Sequence, residues 1–262
     1  MRRSKYSLVQ CQVILVVASA ATNTALAHER APLLSSSQGK TLIFKSPVDE
    51  RGVEKILALI ESTNVAELRI TSWGGNELLA AELGYVIKVR GIAVTADGYC
   101  VSACVNILLS SSKAQIKRDT FVALHPSGYS VYEWAEGSAT EIGKVVKADT
   151  EKSYRAVQAL KLNGGKMKFI RSAFFNAQPR CASITVVNGL AKSQVYYERP
   201  LWIPTRRALE DIGIRIEASW PNSPQQAFAF ATRFLKPETG LSFGHTADAG
   251  HSKVSRLARC TT

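Results

Sequence analysis

The chain has 262 residues, 46% of them hydrophobic, and its 33 lysines and arginines against 21 acids give a formal net charge of +12. That length and apolar share exclude a disordered polar chain and fit one domain with a sizeable core and some appendages. After the first 27 residues no stretch is long and apolar enough to cross a bilayer, which excludes a helical membrane protein.

In chain order, a cationic stub (Arg2, Arg3, Lys5) leads into the apolar run VILVVASAA and then Ala25-Leu26-Ala27, the small-x-small pattern read by a signal peptidase. Residues 1–27 are expected to be removed near Ala27, leaving a soluble periplasmic or secreted protein. Cys11 precedes the apolar run, which argues against a lipoprotein site. The mature chain would keep +9 on 235 residues. Residues 28–39 read as a polar leader, 40–218 as the folded domain, and 219–262 as a peripheral tail anchored by Cys260.

Within the domain, the strand TLIFKSPV is followed by a helix over about 50–62, and the strand AELRITS by a helix over about 77–90. Leu78, Leu79, Ala81, Leu83, Val86 and Val89 form the apolar face expected of that second helix. The strand GIAVTAD, the helix CVNILLSS and the strand TFVALHP come next. Repeated β-then-α order with short links predicts an α/β domain with a largely parallel sheet. Residues 127–139 read as turn-rich and aromatic, and 141–162 as an amphipathic helix ended by NGG. A helix over about 166–177, the strand ITVVNGL and a helix beginning near Pro204 complete the core.

Four cysteines remain after export: Cys100, Cys104, Cys181 and Cys260. An even number in an oxidising compartment favours disulfides, and four cysteines allow three pairings. Cys100–Cys104 with Cys181–Cys260 is preferred, and it requires Cys100 to lie just outside the helix. There is neither a CxxC motif nor a Cys/His cluster with zinc spacing, so no metal and no cofactor are expected. Residues 144–180 hold nine basic residues against Asp149 and Glu151. A solvated helical face is the plainer reading; the alternative is peripheral contact with an anionic envelope surface or an acidic polypeptide. Nucleic acid is not expected, because no recognition motif accompanies the charge.

Three segments fall at the carboxyl ends of consecutive predicted strands, where open α/β sheets place their ligand sites: SWGGN at 72–76, CVSAC at 100–104 and ALHPSG at 123–128. A serine hydroxyl becomes a nucleophile when a base takes its proton, and imidazole does so near neutral pH. Of the four histidines, only His125 falls in the predicted core, which pairs it with Ser102. Acyl transfer also needs N–H donors for the oxygen that becomes negative. Gly74 and Gly75 suit that role, as does Ala103 at a helix start. Each piece has a plainer reading on its own: Ser102 as a helix N-cap, His125 as a core histidine, the glycines as a turn. Their common strand-end register is what points to a site.

With those residues in view, ITSWGGNELLAAELGYVI and GYCVSACVNILLSSSKAQIKRDTFVALHP resemble the Clp-type serine protease and crotonase superfamily. They are most similar to the Clp proteolytic subunit and to exported Clp-like periplasmic proteins. The resemblance covers 41–128 well and 129–213 loosely. It implies a repeated β-β-α spiral, an oxyanion turn at Gly74-Gly75, a nucleophile at Ser102 followed by Ala103, and a base at His125, 23 residues on. Trp73 stands where the family has proline. The family's acid falls near YYERPLWIPTRRALEDIG, where Glu198 is the nearest candidate to orient the imidazole. A surface charge beside Arg199 is its plainer reading, and Asp149 and Glu141 are weaker alternatives; a serine-lysine dyad is a further one.

The resemblance implies a serine hydrolase, a peptidase working through a Ser-His acyl-enzyme. If exported it would act without ATP on small or already unfolded polypeptides, with Cys100 and Cys104 bracing the Ser102 loop. The alternative is a non-catalytic Clp-like module that binds peptides or envelope partners. Crotonase-type thioester chemistry fits the fold but not an exported compartment. The residues leave open whether subunits form homo-oligomers.

Overall fold

Alternation of buried and half-exposed residues sets the first strands. Leu42 and Phe44 face the core from β1 (Thr41–Lys45), as do Leu68 and Ile70 from β2 (Glu67–Ser72). The computed structural model describes residues 40–136, 140–177, 179–187, 190–217, 219–236, 239–245 and 258–260. The expectations for residues 1–27 and 28–39 lie outside them. Between the strands, α1 (Glu50–Ser62) is capped by Asp49, whose carboxylate accepts from Gly52 N at 2.7 Å. Asn76 caps α2 (Glu77–Arg90), and Gly91 ends it in the left-handed region at φ 64°. Next come β3 (Ala93–Val101), α3 (Ala103–Ser110), β4 (Ala114–Ile116) and β5 (Phe121–Ala123).

These strands, with the short β9 (Arg215–Ile216), make a parallel sheet in the order β1-β2-β3-β4-β9. The nine-residue β3 serves two neighbours. Its first half pairs with β4, Val94 opposite Ala114, and its second half with β5, Val101 opposite Ala123. On its other side Cys100 lies opposite Ser72, after a register shift beyond Ile70. The carboxyl ends of β2, β3 and β5 therefore lie side by side. The α/β class with a largely parallel sheet is as expected. Helix α3 is buried along its whole length, and so is a core element.

Within the stretch expected to be turn-rich, the described residues 127–136 depart from expectation. Gly128–Glu136 form helix α4, with Tyr129, Val131, Tyr132 and Ala135 buried. Stacking of Tyr129 and Tyr132 on Tyr154 at 5.2 and 4.1 Å holds α4 against α5 (Glu141–Ala159). Tertiary aromatic contacts thus override the local turn signal. The apolar face expected for α2 holds in part: Ala81 and Leu83 are buried and Leu79 and Val86 pack against the core, whereas Leu78 and Val89 are exposed and Ala80, Gly84 and Ile87 complete the buried face.

Helix α6 (Gly164–Asn176) precedes the antiparallel pair β6 (Pro179–Val187) and β7 (Leu190–Tyr197), then β8 (Leu201–Pro204) and the five-residue α7 (Arg206–Glu210). Beyond residue 219, α8 (Pro224–Ala231) buries Ala227 and Ala231, Trp220 joins the main core, and Phe234 stacks on Phe121 at 5.2 Å. Strand β10 (Leu241–Gly244) pairs with β8, and β11 (Ala258–Arg259) with β6. Disulfides join Cys100 to Cys104 and Cys181 to Cys260. In the basic window, Lys144 pairs with Glu141, Lys147 with Glu136, Arg155 with Glu151 and Arg171 with Glu133. Lys166 caps the carbonyls of Leu109 and Ser111 at 2.6 and 2.8 Å.

Candidate active site

Ser102 sits in the single step between β3 and α3. Its backbone has φ 59° and ψ −127°, a region that non-glycine residues rarely enter. Two bonds impose the bend: Ser102 N donates to Ala123 O at 3.0 Å, and Val105 N donates to Ser102 O at 2.9 Å. The Cys100–Cys104 bridge spans the same bend from fully buried positions. A serine that merely capped α3 would accept a hydrogen bond from an amide of the first turn, but its side chain makes no such bond. Its Oγ instead bonds Nε2 of His125, the residue two beyond the end of β5. The side-by-side register of β3 and β5 brings the two together.

The other ring nitrogen settles which way the imidazole works. His125 Nδ1 bonds the carbonyl oxygen of Pro126 at 2.9 Å. A carbonyl can only accept, so Nδ1 carries the hydrogen, and in the neutral ring Nε2 is then the acceptor facing the serine hydroxyl. That is the tautomer a general base needs. Glu198 is therefore not the residue behind the ring. It lies after β7, where its main chain abuts Gly240, and the local backbone supplies the acceptor that a distant carboxylate was expected to supply. Asp149 is engaged by Lys192 and Ser193, and Glu141 by Lys144, so neither reaches the imidazole.

The glycine turn packs beneath the bend. A Cβ on Gly74 would lie 2.6 Å from Val101 O and 2.7 Å from Ser102 Cβ, and its φ of 89° suits glycine. Val48 bridges the turn, donating to Gly74 O and accepting from Asn76 N, both at 2.8 Å. Of the expected oxyanion donors, Gly74 N already donates to Ser72 Oγ at 3.1 Å. Gly75 N has no acceptor among the described residues, and Ala103 N opens α3 with no intrahelical partner. Gly75 and Ala103 line a pocket of about 40 Å³ together with Ser102, Asn106, Leu124, His125, Ser127, Ile170 and Glu77. The half-exposed Trp73 stacks on Tyr99 at 4.5 Å.

Sequence reasoning missed Glu77. Its side chain turns inward, where its carboxylate accepts from Gly128 N at 2.9 Å and from Asn106 Nδ2 at 3.3 Å, although the residue as a whole keeps some exposed surface. Burial pushes this carboxyl above its usual range, against the pull of Gly128, Asn106, Ser153 and the nearby His125. An acid in the first turn of a helix ordinarily answers the helix dipole, so nothing in the sequence marked this one as special.

No family model matches the chain, and no curated protein matches it by sequence. Among solved structures it is similar to ClpP1 from Listeria monocytogenes, seen as a point mutant with 12% identity and a TM-score of 0.40 over 72% of this chain and 95% of that one. A second ClpP1 structure from that organism has 16% identity and a TM-score of 0.31 over 48% and 81%. The ClpP protease catalytic domain from Plasmodium falciparum has 10% identity and a TM-score of 0.42 over 71% and 90%.

Proposed function

We propose that this protein is an exported serine hydrolase, an ATP-independent peptidase that works through an acyl-enzyme. The observation that carries the reading is the contact of Ser102 Oγ, held at a positive-φ bend, with Nε2 of His125, whose Nδ1 is held by the Pro126 carbonyl. As Oγ bonds to the scissile carbonyl carbon, its proton passes to Nε2, and the carbonyl oxygen takes the negative charge. The N–H groups of Gly75 and Ala103 receive that oxygen without reorganising, aided by the amino end of α3. The C–N bond then breaks, and Nε2 returns the proton to the departing amine. A water activated by the same nitrogen releases the acyl group from Ser102. The chain's resemblance to Clp-type proteases at 70–87 and 98–126 supports a polypeptide substrate.

The test is hydrolysis of an unfolded casein without nucleotide. Wild type should release peptides, and Ser102→Ala and His125→Ala should each lower the rate by about a hundredfold or more. Equal rates in all three would overturn the reading. Export is checked by the mass of the mature chain, which should begin at His28.

A further inference from the structure

We infer that Glu77 is the acid of this site, a positioning residue that holds the turn carrying His125 and supplies the negative charge against which its ring becomes imidazolium. The inference rests on the hydrolase reading above. Glu77 Oε2 accepts from Gly128 N at 2.9 Å, three residues beyond His125. The intervening Pro126 supplies the carbonyl that holds Nδ1. The carboxylate thus closes the far end of a four-residue turn whose near end fixes the tautomer of the base. Gly128 also begins α4, so the charge faces a helix amino terminus. A Cβ there would lie 3.0 Å from Glu77 Oε2 and 2.5 Å from Ser153 Cβ, so only glycine lets the main chain come this close.

The chemistry of its partners is the second part of the case. Gly128 N, Asn106 and Ser153 are all neutral donors. No lysine or arginine among the described residues forms an ion pair with Glu77, and the charge of the nearby His125 bears on it. An enclosed carboxylate with no standing cation is costly to a fold. Here it lines the same pocket as a ring that turns positive during acylation. Division of labour follows: the Pro126 carbonyl orients the ring, and Glu77 stabilises the charge that the carbonyl cannot neutralise.

The experiment compares wild type with Glu77→Gln and Glu77→Ala, measuring the rate of fluorophosphonate inactivation, kcat and KM on a peptide substrate, and the melting temperature. Assays run well below the lowest melt. Glutamine keeps the size and the acceptor for Gly128 N–H and removes the charge; its NH2 takes the place of the oxygen that accepts from Asn106, whose side-chain amide turns over to present its own oxygen. It should melt at or above wild type, while the inactivation rate and kcat fall roughly tenfold or more and KM stays within about twofold. Glu77→Ala should lose both stability and rate. Glutamine at the wild-type rate would overturn the inference and leave the hydrolase reading standing. Failure of the probe to label folded wild type would overturn that reading, and the inference with it.

Discussion

Ser102 holds a conformation that costs on the order of 1–3 kcal/mol, and the residues around it are arranged to permit it. Gly74 is the clearest of these. Its own positive φ and the approach of Val101 O and Ser102 Cβ leave no room for a methyl group. Gly74→Ala is expected to lower stability by about 1–3 kcal/mol in urea denaturation and to remove fluorophosphonate labelling, because the methyl meets backbone that cannot yield. Glu77 gives a prediction of a different kind. Its folded pKa is raised by burial, so its favourable contribution to stability is present below the ordinary glutamate value and is lost as pH rises through the folded value. Thermal melts from pH 4 to pH 7 should therefore show the Glu77→Gln variant gaining on wild type as pH increases. A constant gap across that range would contradict the assignment.

Elements carry these residues to one place, and how well they could be read depended on how local their causes are. The caps Asp49 and Asn76 and the stop at Gly91 lie within a turn of the helices they bound, and those helices fall where the sequence places them. The position of His125 was legible for the same reason, since it follows the apolar run FVAL directly; Ser102 was legible from the apolar run that follows it, while β3 continues past Asp97, the end of the expected strand, to Val101. Helix α4 was not legible: the stretch from Ser127 onward read as turn-rich, and it is Tyr154, from α5, stacking on Tyr129 and Tyr132 that holds the helix. The acid was misplaced because its role depends on which remote main chain closes over the pocket, and Gly128 lies 51 residues from Glu77. Packing of α2 on α3 offers a direct test. A Cβ on Gly84 would collide with the Ser110 hydroxyl and lie 3.1 Å from Ser110 Cβ and 3.3 Å from Leu160 Cδ2. Gly84→Ala should cost about 1–3 kcal/mol by urea denaturation, despite alanine's better helix propensity, and Ser110→Ala should recover part of the loss.

For the whole molecule, the two disulfides divide into a stabiliser and a local brace. Cys181–Cys260 spans 79 residues and ties β6 to the chain end, where Cys260 N also donates to Ala182 O at 3.1 Å. Chain entropy assigns a loop of that size about 4 kcal/mol, and roughly half as much to the four-residue span of Cys100–Cys104. Replacing Cys181 and Cys260 by serine should lower the urea midpoint strongly and leave the labelling rate of the folded protein unchanged. Replacing Cys100 and Cys104 should do the reverse, with a smaller loss of stability and slower labelling, because the bend at Ser102 is then held by its two hydrogen bonds alone. Equal labelling rates in both variants would contradict that division.

The most direct measurement is the intact mass of the oxidised, folded protein after exposure to a fluorophosphonate, with peptide mapping of the adduct. A single adduct on Ser102 that is absent from Ser102→Ala and formed far more slowly by His125→Ala is the predicted result. An unmodified wild-type chain, or an adduct on another residue, would contradict the claim that Ser102 is a nucleophile activated by His125.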